Sequence, residues 1–293
     1  MKFFVLKKSI FFTLVALCGF FFIAQSGAAR TLKILAIGNS FSEDAVENYL
    51  YEIAQKDSIT LIIGNMYIGG CSLEKHWDNA VKQSKVYSYR KIDGNGIKTT
   101  VEATGLSEVI REEEWDYITF QQVSQNAGIY ETYFPYLIHL FDYVKSEATN
   151  PAVQFALHMT WAYAQTSTHA GFANYNNSQE TMYSAIVDAT FRVAETVGIT
   201  IVIPSGTAIQ NSRNSIIGDN LCRDGYHLNY KFGRYTAACT WYEKLTGNSV
   251  VGNPFIPEGV TLLQAAIAQN AAHRAVVSPQ NISYILRNKE AGK

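Results

Sequence analysis

Five runs of aliphatic and β-branched residues, each of strand length, dominate the hydrophobic pattern of the chain. LKILAIG (32–38) ends at a glycine and passes into NSFSEDAVENYLYEIAQ, whose apolar residues have helical spacing. ITLIIGNMYIGG (59–70), YITFQQ (117–122), AVQFALHMTWA (152–162) and ITIVIPSG (199–206) repeat the apolar run. In SQETMYSAIVDATFRVAETVG the apolar positions recur every three or four residues, which predicts a long amphipathic helix. KFGRYTAACTWYEKLTG predicts another, and the tail beyond about residue 250 one or two more. KVYSYRKIDGNGIKTTVEA carries a DGNG turn and predicts a small β-hairpin insertion near 86–101. Continuous apolar strands alternating with helices predict an α/β fold. Its expected form is a three-layer α/β/α sandwich around a five-stranded parallel sheet with right-handed crossovers. In such folds ligands meet the carboxyl ends of the strands.

Composition narrows the classes of function. Formal net charge is −1, and lysine and arginine are scattered, so the basic stripe of a nucleic-acid binder is missing. Lys2, Lys7 and Lys8 precede the apolar FFTLVALCGFFFIA and then the small residues of AQSGAA, the pattern of a secretory signal peptide over 1–29. A retained membrane anchor is the alternative for that segment. Cleavage after Ser26 or Ala29 leaves one domain over 30–293 with no membrane span, in the periplasm or outside a bacterial cell. Three cysteines then remain. Cys239, in an apolar helix, is expected to be a buried free thiol, whereas Cys71 and Cys222 adjoin candidate site segments and are the candidate disulfide pair, with free thiols as the alternative. Eighteen tyrosines recur near polar loops. They suit either core packing with a satisfied hydroxyl or the walls of a sugar cleft, as do Trp77, Trp161 and Tyr226.

The residues after the strands carry the candidate chemistry. Ser40 stands at the first strand-to-helix turn, near free amides that favour developing negative charge. Ser42, directly before Glu43 and Asp44, is the expected helix cap, which frees Ser40 for another task. Gly70, in the paired glycines after the second strand, can bring a backbone amide to an oxyanion. In FQQVSQNAG both Gln122 and Asn126 carry amides able to donate to one. Asp224 and His227 lie three apart across a glycine, so one turn can set the carboxylate against the imidazole and fix its tautomer.

In this order and at these strand ends, the segments resemble the four blocks of the SGNH hydrolases, or GDSL esterase superfamily. The resemblance spans about residues 32–246 and implies a flavodoxin-like sandwich. GNSFS matches the nucleophile block at Ser40, IGGCSL the glycine block at Gly70, and DGYH the closing DxxH element at Asp224 and His227. GGCSLEKHW is similar to the G-G-x-S/A-I stretch of the carbohydrate O-acetylesterase branch. The third block departs from G-x-N-D, since QQVSQN has no glycine. Set against the Q-G-E-S-N form of the acetylesterases it puts Asn126 at the amide position, with Gln122 as the alternative. The resemblance implies acyl transfer to Ser40 with His227 as base and Asp224 orienting it. The oxyanion would be held by Ser40, Gly70 and one amide side chain, with no metal or organic cofactor. The implied substrate is a small-molecule or glycan ester with a short acyl group. A lipid esterase and a noncatalytic carbohydrate-binding protein are the competing readings. No carboxylate and histidine cluster follows the strands as a two-metal phosphatase or nuclease would need.

Overall fold

The computed structural model describes residues 30–285, so the expected signal peptide over 1–29 lies outside the described residues. The chain begins with β1 (Arg30–Gly38), α1 (Ser40–Val46), α2 (Leu50–Lys56), β2 (Ile59–Tyr67) and α3 (Leu73–Val81). The hairpin of β3 (Tyr87–Ile92) and β4 (Lys98–Thr104) follows, then α4 (Leu106–Ile110), β5 (Tyr117–Phe120), α5 (Tyr136–Glu147) and β6 (Gln154–His158). The remainder is α6 (Gln179–Val197), β7 (Ile201–Ile203), α7 (Ser205–Arg213), α8 (Phe232–Thr246) and α9 (Leu262–Val277).

All five strands read from the hydropathy pattern are present, and every pairing among them is parallel. The sheet nevertheless has seven strands, in the order β4-β3-β2-β1-β5-β6-β7, and is mixed. The hairpin does not stand apart as an insertion. Its first strand continues the sheet, antiparallel to β2 from Ile63–Ile92 to Tyr67–Ser88. Tyr87, Tyr89 and Ile92 are buried by this pairing, while β4 is exposed along nearly its whole length and forms a polar edge. Taken alone, the parallel strands run 2-1-3-4-5, the flavodoxin-like order whose switch point lies beside the first strand.

In β1, Ile34 to Ile37 are all buried; neighbouring side chains point to opposite faces, so both faces of the sheet are covered. Helices α3, α4 and α5 pack together, as do α7, α8 and α9, with α1 and α2 against α8. The single helix expected after β1 is broken between α1 and α2, where Tyr49 takes a left-handed φ of 70°. The break leaves α1 as two turns that carry Ser40 at their start.

Candidate functional site

Ser40 is the first residue of α1, directly above the end of β1. The cap of this helix is Asn39, not Ser42: Asn39 Oδ1 accepts from Phe41 N at 3.0 Å. The helix starts three residues earlier than the acidic pair suggests. That turns Ser42 inward, where its Oγ lies 2.8 Å from Asn39 O and 2.9 Å from Asn65 Oδ1. Asn39 also donates to Cys71 O at 3.0 Å, which ties the Ser40 turn to the glycine turn after β2. A buried chain holds Asn39 from below. Gln121 Nε2 donates to Asn39 Oδ1 (2.7 Å), Gln121 Oε1 meets His158 Nδ1 (2.8 Å), and His158 Nε2 meets Ser205 Oγ (3.0 Å).

The loop between α7 and α8 brings Asp224 and His227 to Ser40. Gly225 takes φ 91°, a conformation that admits the tight turn. Asp224 Oδ1 accepts from the backbone N–H of His227 at 2.8 Å and of Tyr226 at 3.2 Å. Asp224 Oδ2 lies 2.7 Å from His227 Nδ1, and His227 Nε2 lies 2.8 Å from Ser40 Oγ. Partial burial raises the Asp224 carboxyl, but the bonds from the His227 side chain and the two amides outweigh it and hold the group below its ordinary range. With the proton of His227 on Nδ1, Nε2 is left to accept from the serine. The chain of atoms can therefore strip a proton from Ser40.

A cleft of about 250 Å³ opens in front of Ser40, lined by Tyr67, Gly69, Gly70, Val123, Gln125, His169, Tyr226 and His227 among others. Gly70 has φ 63°, and an added Cβ would meet open space; the left-handed backbone, not crowding, is what suits glycine here. Neither amide expected after β5 faces this cleft. Gln122 is buried and spent on scaffolding: Oε1 accepts from Leu73 N and Val123 N, and Nε2 donates to Thr132 O at 2.9 Å. Asn126, at the end of the 3-10 turn Ser124–Asn126, is absent from the lining, which contains its neighbour Gln125. Sequence reading missed Gln125 because the turn, not the strand period, decides which amide reaches the cleft. His169 was missed as well. Its Nδ1 accepts from Gly171 N at 3.0 Å, so the neutral ring carries its proton on Nε2. Desolvation first, then the neighbouring His227, lowers its pKa and favours that neutral form.

The aromatic residues divide between core and cleft. Trp161 is fully buried, stacked on Phe41 at 4.4 Å, and donates to Tyr226 O at 2.8 Å. It supports the wall without forming it. Trp77 packs beside His139, whereas Tyr226 lines the cleft. The candidate Cys71–Cys222 bond is not formed: both are free thiols, as is the buried Cys239. The Cys71 Sγ faces Ser72 O, while Arg213 donates to Cys222 Sγ at 3.6 Å, so the two sulfurs have separate partners. A roomier hollow of about 590 Å³ lies by α6 and β7, where Asp188, Glu195, Arg192 and Lys244 mix charges without a nucleophile and base. Among the described residues no helix is long and apolar enough to cross a membrane.

Over residues 33–275 the sequence matches the family model described as Domain of unknown function (DUF4886). A DUF4886 family protein from Bacteroides uniformis is 48% identical, with a TM-score of 0.86 over 87% of this chain and 98% of that one. A candidate SGNH hydrolase from Slackia heliotrinireducens is 18% identical, with a TM-score of 0.49 over 74% of this chain and all of that one (100%). A variant of Axe2, an acetyl-xylooligosaccharide esterase from Geobacillus, is 11% identical, with a TM-score of 0.46 over 75% and 96% of the two chains. These last two likenesses are too slight to bear on chemistry. No curated protein matches the chain.

Proposed function

The chain belongs to the DUF4886 family, and we propose that it is a serine esterase acting on short-chain esters, acetyl foremost, of carbohydrates. One observation carries the reading. An unbroken hydrogen-bond chain runs from Asp224 through His227 to Ser40 Oγ at the floor of an open cleft. Ser40 attacks the ester carbonyl while His227 Nε2 takes its proton. Asp224, held ionised, stabilises the imidazolium that results. The tetrahedral oxyanion is met by the Ser40 and Gly70 backbone amides and by the side-chain amide of Gln125, in place of Asn126 or Gln122. His227 then protonates the departing alcohol and activates the water that frees the acid.

The cleft supports the choice of substrate. No aspartate, glutamate, lysine or arginine is among the residues that line it, so it suits a neutral ester. Tyr67 and Tyr226 offer ring faces, and Gln125 and His169 offer N–H groups, a mixture fitted to a hydroxylated alcohol. The guanidinium of Arg90 covers the Tyr67 ring at 3.7 Å and braces that wall. A cleft of about 250 Å³ leaves little room for a long acyl chain beside a sugar. Export to the periplasm or beyond belongs to the same proposal and rests on the N-terminal pattern.

The test pairs a fluorophosphonate probe with a panel of acetylated glycans, acetate release being read by mass spectrometry. Labelling at Ser40 together with release of acetate is the expected result. Binding of glycans without labelling would make the protein a noncatalytic binder. Octanoyl esters turned over faster than acetyl esters would make it a lipid esterase.

A further inference from the structure

Asp44 is fully buried, one helical turn beyond Ser40 on the same short helix. Its Oδ1 accepts from Arg223 Nη1 at 3.0 Å and from Arg234 Nε at 2.7 Å. Its Oδ2 accepts from the backbone N–H of Leu228 at 2.8 Å, and Arg223 Nη1 lies 3.1 Å from that oxygen too. The same Arg223 Nη1 donates to Leu228 O, and Arg223 N donates to His227 O at 2.9 Å. Arg223 precedes Asp224 and Leu228 follows His227. One carboxylate therefore grips both ends of the segment that holds the acid and the base.

This placement separates Asp44 from an ordinary buried ion pair. The helix α1 has seven residues, too few to stand without tertiary anchors. The loop that bears Asp224 and His227 has a single isolated bridge, Cys222–Leu228, at its ends. Ser40 and His227 lie 187 positions apart, and their 2.8 Å contact needs helix and loop to keep a common register. Arg234, from α8, reaches the same carboxylate, Glu43 and the ring of Tyr230, and its backbone N–H donates to Asn229 O, so its contacts in the loop fall after Leu228 and not within the 223–228 segment that carries Asp224 and His227.

We infer that Asp44 is a positioning residue: through Arg223 and the Leu228 amide it sets the distance between Ser40 and the Asp224–His227 turn. The inference rests on the esterase reading above. Displacing reacting groups by about 1 Å costs on the order of 100-fold in rate. Asp44→Asn and Arg223→Gln are therefore expected to lower kcat on p-nitrophenyl acetate by about 10- to 100-fold, with KM within about threefold of wild type. Rates are taken per serine titrated by the probe at saturation, so an unfolded fraction does not count. Arg234→Gln, which loosens the same carboxylate from the α8 side only, is expected to lower Tm while keeping kcat per titrated serine. Should Asp44→Asn fail to fold, Arg223→Gln carries the test, because its side chain is partly exposed and its loss leaves Arg234 on the carboxylate. Wild-type kcat per titrated serine in Arg223→Gln, or an equal fall in kcat for Arg234→Gln, would overturn the inference. A wild-type protein that neither reacts with the probe nor cleaves any ester would instead overturn the esterase reading itself.

Discussion

Two serine–histidine chains run through this molecule with the same atoms in the same order. In the cleft, Ser40 Oγ, His227 Nε2, His227 Nδ1 and an Asp224 oxygen are linked at 2.8 and 2.7 Å. In the core, Ser205 Oγ, His158 Nε2, His158 Nδ1 and the Gln121 carbonyl oxygen are linked at 3.0 and 2.8 Å. The distances scarcely differ. What differs is the acceptor and the surroundings: a carboxylate at an open cleft against an amide beneath it, where Ser205 and His158 are buried. Proton transfer from serine creates an imidazolium. Asp224 can balance that charge, whereas Gln121 cannot, and burial pushes the His158 imidazole down to about 3. Geometry of this kind serves structure in one place, by bracing Asn39 beneath Ser40, and on the proposed esterase reading it serves chemistry in the other.

The largest effect separates the two serines. Ser40→Ala is expected to lower kcat by roughly a million-fold, as removal of a nucleophile from an acting triad does. Ser205→Ala is expected to keep kcat and to cost about 1–3 kcal/mol of stability, since it leaves His158 Nε2 without its buried donor. Rates on p-nitrophenyl acetate and urea melts of both variants check the pair. Comparable activity losses in the two would show that the core chain takes part in the reaction.

Next in size is a change that gives the cleft chain the acceptor of the core one. Asp224→Asn is expected to lower kcat by about 10⁴-fold. The reason lies in the other oxygen. Asp224 Oδ1 accepts from two backbone N–H groups, so an asparagine would keep its carbonyl there and turn its NH₂ toward His227 Nδ1. Nδ1 would then have to accept, its proton would move to Nε2, and Ser40 would lose its base. Gln121 escapes this because its own NH₂ is committed to Asn39. A loss of less than tenfold would mean that the loop relaxes enough to let the amide rotate.

On the proposed reading amides divide in the same way, Gln121 as a core acceptor and Gln125 as a cleft donor. Gln125→Ala is expected to cost about 100-fold in kcat with little change in KM, the signature of a donor used only in the transition state. An unchanged kcat would return the role to the backbone amides alone.

How much of this was legible in the sequence follows from how local each feature is. The five parallel strands stand out because buried strands are continuous apolar runs. The pairing of the hairpin with β2 does not, because α3 separates them in the chain and β3 mixes buried and half-buried positions instead of forming a continuous apolar run. Asp224 and His227 are three positions apart, and a single turn defines their contact. Ser205, His158 and Gln121 come from three separate strand ends, so only the folded sheet brings them together. Gln125 and Asn126 are adjacent amides, and a 3-10 turn without a periodic signature chooses between them. Asn39 against Ser42 as the cap of α1 shows the same limit, since a shift of one turn reverses which side chain faces the helix.

The smallest effect tests the buried histidine directly. His158 is held neutral in the fold, with a pKa near 3 against an ordinary value of 6.5. Between those values the unfolded chain binds a proton that the folded chain does not. Stability from this group is therefore complete above pH 6.5 and is lost as the pH falls toward 3, with a slope of up to about 1.4 kcal/mol per pH unit. His76, lowered by burial to about 4, acts in the same direction. Asp44 and Glu47, raised chiefly by burial, act in the opposite one, so the slope of the wild-type protein is a net value. The difference between wild type and His158→Gln isolates the one residue. Glutamine can still donate to Gln121 and accept from Ser205, so the chain survives while the titration does not. Urea unfolding at several pH values between 4.5 and 6.5 should give curves that diverge, the variant losing less stability in acid. Parallel curves would mean that His158 titrates alike in both states, and that the core chain is as open to protons as the one in the cleft.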